Sequence, residues 1–117
     1  MKDYTRRKYL RTIYQLALSK KEVRQIDLAL TLGYARSSVS LAVKYLHQQG
    51  LINIDGKNLS LTIQGKQEAK LSYQQYLKTL AFVLKLGYDN YQANEYVRIM
   101  EEYFDYDFIN SLIEKQE

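Results

Sequence analysis

The sequence predicts a mostly α fold: a helix-turn-helix completed by a small β-hairpin wing, followed by a helical second half. Three observations predict it. Arg24 to Gly50, RQIDLALTLGYARSSVSLAVKYLHQQG, holds two amphipathic helical patterns separated by Gly33. Leu51 to Leu61, LINIDGKNLSL, alternates apolar residues on either side of a turn. The remaining residues carry helical periodicity with Asx caps, and the chain contains no proline.

In the first pattern, Ile26, Leu28, Ala29 and Leu32 supply the apolar positions of a short helix. Gly33 ends it, where the backbone needs a positive φ. Val39, Ala42, Val43 and Leu46 then fall at i, i+3, i+4 and i+7, one buried helical face. The opposite face carries Arg36, Ser37, Ser38, Ser40, Leu41 and Lys44. These side chains are short or cationic and make a slim, hydrogen-bonding surface suited to the major groove of a duplex, roughly 12 Å wide. Taken alone, the pair could equally be an ordinary αα-hairpin. The hairpin directly after it favours a winged helix-turn-helix. Asp55-Gly56 is the expected turn signal, and Lys57 sits at the tip, within reach of a phosphate.

Before this motif, Asp3 to Ser19 reads as a first helix with Tyr9, Ile13, Leu16 and Ala17 as its apolar stripe, widened by Leu10 and Tyr14. The run Arg6-Arg7-Lys8 gives it a basic face, either touching a phosphate backbone or merely solvated. Lys20 to Val23 read as a short loop. After the wing, Thr62 is the expected N-cap of a long helix from about Ile63 to Leu86. Its period is kept by Ala69, Leu71 or Tyr73, Tyr76, Leu77, Leu80, Val83 and Leu84, and Gly65 in its first turn reads as a mild cost. Gly87 ends it. Asp89 or Asn90 caps a helix over 91–103, and Asp105 caps a last one over 106–115.

Composition bounds the function. The 117 residues suit one compact domain or a small domain plus an appendage; the expected division is 1–65 as the winged helix-turn-helix and 66–117 as a helical dimerisation domain. No apolar run is long enough to span a membrane, and no signal-peptide pattern follows the charged N-terminus, so a cytoplasmic location is expected. The absence of cysteine removes disulfides, thiolate metal sites and cysteine nucleophiles. Net charge is +4, unevenly placed. Residues 1–65 hold eleven Lys and Arg against four Asp and Glu, which is +7; residues 66–117 hold six against nine, which is −3. A basic half and an acidic half fit a nucleic-acid module joined to an association module. The second half is also rich in large side chains, among them Phe82, Tyr88, Tyr91, Tyr96, Ile99, Tyr103, Phe104, Phe108, Ile109 and Leu112. Two short helices cannot hide all of these against one long helix, so a homodimer interface is expected. No nucleophile with a base, no acid pair beside a histidine and no glycine-rich phosphate loop points to an enzyme.

Several stretches together resemble a known family. YLRTIYQL from Tyr9, DLALTLGYARSSVSLAVKYL from Asp27, LSLTIQGK from Leu59, LGYD from Leu86 and DYDFI from Asp105 are similar in order and spacing to the metal-dependent transcriptional repressors typified by the diphtheria toxin repressor and the manganese transport regulator. The resemblance implies a winged helix followed by a helical dimerisation domain, and double-stranded DNA as partner. It implies that Ala35, Ser37 and Leu41 face bases, while Arg36, Ser38, Ser40, Lys44 and Lys57 contact phosphate and set register. It also implies a divalent metal, but the ligand positions have changed. They hold Lys8, Arg11, Gln75, Val97, Met100 and Glu101, and only Glu101 could still coordinate one. Lys8 and Arg11 facing Glu101 and Glu102 have the sign pattern of an ion pair in place of a metal. The expected function is therefore a sequence-specific DNA-binding regulator acting as a homodimer without metal or cofactor; the alternative is a winged-helix protein-interaction module.

Overall fold

Each helix is bounded where local chemistry can satisfy its free backbone groups. In the computed structural model, which describes residues 1–116, the order is α1 (Asp3–Ala17), α2 (Gln25–Leu32), α3 (Arg36–Gln48), β1 (Ile52–Asp55), β2 (Asn58–Leu61), α4 (Ile63–Lys85), α5 (Asn90–Tyr103) and α6 (Tyr106–Lys115). The mostly helical winged fold expected from the pattern is present. Gly33 takes φ 70°, and both its N–H and that of Tyr34 donate to the Ala29 carbonyl, closing α2. The Thr62 hydroxyl accepts from Gly65 N–H at 3.1 Å, Asp89 from Gln92 N–H at 2.8 Å and Asp105 from Phe108 N–H at 2.8 Å. These are three N-caps of the expected kind. α1 stops at Ala17, two residues short of the expected end, and Ala17 is exposed rather than part of the stripe.

The molecule forms two compact units, Met1–Ser72 and the residues from Tyr73 onward. The first has a continuous core of Tyr9, Leu10 and Ile13 from α1, Leu28 and Ala29 from α2, Val39, Ala42, Val43 and Leu46 from α3, Leu51, Ile52 and Leu59 around the hairpin, and Ala69 from α4. Every member of the predicted α3 stripe is in it. The second unit has a smaller core, in which Val83, Ala93 and Val97 are buried and Tyr76, Leu80, Phe82, Leu84 and Met100 pack around them. On α4, of the expected stripe alternatives Leu71 is exposed and Tyr73 half-buried; Leu77 is exposed too, whereas Ser72 and Thr79 are buried. Thr79 resolves its polar group locally by donating to the Gln75 carbonyl at 2.9 Å.

The wing is an antiparallel ribbon pairing Ile52 with Leu61 and Asp55 with Asn58. Its two turn residues are therefore Gly56 and Lys57, not the expected Asp55-Gly56. Gly56 has φ 61° and Lys57 does not share the positive sign, the pattern of a II′ turn, in which glycine takes the first central position. The segment read as a plain loop before α2 is part of this structure. Val23 is buried, donates its N–H to Asn58 Oδ1 at 3.0 Å and accepts Leu59 N–H at 2.8 Å.

Gly65 is not the mild cost that helix propensity suggests. A Cβ there would stand 1.9 Å from the Leu51 carbonyl oxygen. The start of α4 thus presses directly on the backbone that leaves α3, and only glycine permits the approach.

Candidate nucleic-acid interface

The buried stripe of α3 fixes which side chains face outward. Arg36, Ser37, Ser38, Leu41 and Lys44 are exposed, Leu41 at 69 %, and Ser40 is half-buried beside the core stripe. α3 contains no acidic residue. Ala35 is its exposed N-cap and makes no side-chain cap, so the first backbone N–H groups of the helix are not covered by a capping oxygen. That end of the helix dipole attracts anions such as phosphate. Lys57 is exposed at the wing tip in the same unit. The fold thus gathers all eight predicted positions onto one module, seven exposed and one half-exposed.

The structure adds residues that the pattern did not suggest. A groove of about 590 Å³ runs beside α3, with Ser38, Leu41 and Tyr45 on one side, Lys2 and Thr5 on the other, and Tyr34 in its lining. Its lining side chains include hydroxyls and the Lys2 ammonium, with no carboxylate among them. Tyr34 also stacks at 5.7 Å and 58° on Tyr9, whose phenol is pushed above its usual range by burial and by its neighbour Tyr34. No short-range sequence signal links Lys2, Thr5 and Tyr45, because they come together only in the lining of this groove.

The run Arg6-Arg7-Lys8 does not form one free basic face. Arg6 pairs with Asp3 at 3.2 Å and Glu68 at 3.4 Å. Lys8 Nζ lies over the Tyr4 and Tyr34 rings, 5.4 and 5.6 Å from their centroids. At the start of α2, Asp27 accepts Arg24 N–H at 2.8 Å and Lys20 Nζ at 2.9 Å. The backbone donor first and the lysine second hold its carboxyl below the usual carboxylate range.

The positions corresponding to a metal site carry the wrong donors for a divalent cation. Val97 is fully buried in the second unit's core and Met100 packs against it. Lys8 is held over two aromatic faces, and Glu102 is paired with Arg98 at 3.6 Å. Among the described residues, no group of three or more His, Cys, Asp or Glu stands together. Hard cations need several converging oxygens, which this set does not supply.

A helix-turn-helix, a short two-stranded wing and an acid-free outer face on the second helix define a winged-helix module of the nucleic-acid-binding type. Residues 4–58 match the family model for the iron-dependent repressor N-terminal DNA-binding domain. No curated protein matches the chain closely. Similar solved structures include the metal-dependent transcriptional regulator MtsR, 21 % identical with a TM-score of 0.80 over 95 % of this chain and 53 % of that one. A manganese-dependent transcriptional repressor in complex with manganese is 23 % identical with a TM-score of 0.81, over 95 % of this chain and 51 % of that one. IdeR of T. acidophilum is 21 % identical with a TM-score of 0.74, over 98 % and 55 %. The chain spans about half the length of these three proteins, and at such identities they share its fold. No helix among the described residues is long and apolar enough to cross a membrane.

Proposed function

We propose that the chain is a sequence-specific DNA-binding transcriptional regulator that acts as a homodimer and binds without a metal ion. The observation that carries DNA binding is the outer face of α3: exposed serines and cations, no acid, and a lysine-tipped wing on the same module. Arg36, Lys44 and Lys57 meet phosphates and set register. Ala35, Ser37 and Leu41 face bases, Leu41 against a thymine methyl. Ser38 and Ser40 add hydroxyl contacts to the backbone. With so few hydrogen-bonding groups over the bases, much of the specificity comes from duplex shape.

Dimer formation is supported by the second unit, whose small core leaves Tyr103 73 % exposed and Phe104, Phe108 and Leu112 also exposed. Metal independence is supported by the donor chemistry at Lys8, Arg11, Gln75, Val97, Met100 and Glu101.

The test is fluorescence anisotropy with duplex DNA across a salt series, with chelator and with added manganese. Affinity that falls steeply with salt and ignores chelator supports the reading. Failure to bind any duplex at low salt would favour a protein-interaction module. Strong activation by manganese would overturn metal independence.

A further inference from the structure

We propose that Lys8 is a positioning residue for the recognition helix α3, acting through the ring of Tyr34. Tyr34 is the hinge residue of the helix-turn-helix. Its N–H donates to the Ala29 carbonyl at 3.1 Å and so belongs to the cap that ends α2. The next residue, Ala35, is the N-cap of α3. The Tyr34 side chain is half-buried and packs on the first unit's core, stacked against Tyr9, which is 2 % exposed. Whatever fixes this ring fixes the point from which α3 departs.

Lys8 fixes it from the other side. Its ammonium stands 5.6 Å from the Tyr34 ring centroid and 5.4 Å from that of Tyr4, one turn back on α1. A cation against two aromatic faces is attracted to both quadrupoles, and partial burial strengthens the attraction by removing competing water. The side chain therefore ties α1 to the turn before α3. An uncharged side chain of the same length keeps the apolar stem packing and loses the tie. Arginine keeps it, because a guanidinium also stacks on aromatic faces. The resemblance drawn from the sequence puts a metal-binding carboxylate at this position; here a fixed cation inside the first unit performs an ordering role that needs no ion from solution.

The role in recognition rests on the DNA-binding reading, so the test has a readout that does not need DNA. Hydrogen exchange is followed residue by residue in the full chain for Lys8→Met, Lys8→Arg and the unchanged protein. The reporters are the amides of Gly33, Tyr34 and Val39, which donate to the Ala29, Ala29 and Ala35 carbonyls. Anisotropy with a random duplex is measured beside it. In Lys8→Met these amides should exchange about fivefold faster and duplex affinity should fall about fivefold, with both restored in Lys8→Arg. Unchanged exchange at the three amides overturns the brace, whatever happens to DNA binding. Faster exchange throughout the first unit also overturns it, since Lys8 would then contribute general stability. Local loosening with unaltered affinity overturns the link to recognition. If the unchanged protein binds no duplex, the DNA-binding reading and the recognition role fall together, while the exchange data alone still decide whether Lys8 orders the turn.

Discussion

Gly65 and Leu51 are in backbone contact so close that the glycine hydrogen occupies space no side chain could enter. The Leu51 carbonyl that limits position 65 also accepts Thr62 N–H at 3.1 Å, so it cannot turn away without breaking a hydrogen bond. Alanine ordinarily favours a helix interior over glycine by about 1 kcal/mol. Here Gly65→Ala should destabilise the first unit by about 3 kcal/mol, because the backbone must separate. Urea unfolding monitored by circular dichroism gives the sign directly. A stabilised variant would show that α4 can lift away freely.

Asp27 should make stability depend on acid. Its carboxyl is held below its ordinary value of 3.8 by Arg24 N–H and Lys20. A lowered folded-state pKa means that the charged form stabilises the fold. That stability is complete above the unfolded-state pKa and is lost as pH falls through the folded-state value. Asp27→Ala should therefore cost about 1 kcal/mol at neutral pH. The gap between variant and unchanged protein should close as the pH drops below 4, measured by urea unfolding across a pH series.

Replacing Arg36 and Lys44 together with alanine should weaken binding to every duplex alike. It should also lower the slope of log affinity against log salt by about two, near one for each phosphate that is no longer neutralised. A full salt titration on a random duplex measures this. An unaltered slope would move the DNA face off the second helix.

Phe108 and Leu112 lie four residues apart on the exposed side of α6. Charges there are incompatible with burial between two copies. Phe108→Asp with Leu112→Asp should convert a dimer to a monomer in sedimentation equilibrium at micromolar concentration, with helical content retained. A chain already monomeric without the substitutions would remove both the interface and the palindromic operator that two-fold symmetry demands.

The sequence exposed what depends on near neighbours. The α3 stripe, the Gly33 break and the caps at Thr62, Asp89 and Asp105 are decided within one or two turns of helix, so periodicity and cap chemistry suffice to find them. The outward positions of α3 followed from the same stripe. The hairpin was legible but its turn was displaced by one residue, because Gly56 can serve either central position and only strand pairing decides. What stayed hidden depends on residues far apart in the chain. Gly65 looks like an ordinary helical glycine until Leu51 is beside it. Val23 looks like a loop residue until Asn58 and Leu59 accept and donate across it. Lys8 reads as one of three surface cations until the turn at Tyr34 packs over it. Leu71 and Leu77 carry the helical period yet are exposed, because apolar character marks a face without naming what will cover it.

The hydrogen bonds linking Val23 to Asn58 and Leu59 of β2 separate two properties of the wing. A two-stranded ribbon is marginal on its own. Here a third segment of chain grips it at Asn58 and Leu59, the two residues that follow the Gly56-Lys57 tip. Extra residues inserted at the tip would leave that grip intact and add only the slowly rising entropy of a longer loop. The wing is thus an adjustable finger on a fixed knuckle. Its length can change at the tip while α3 stays where it is.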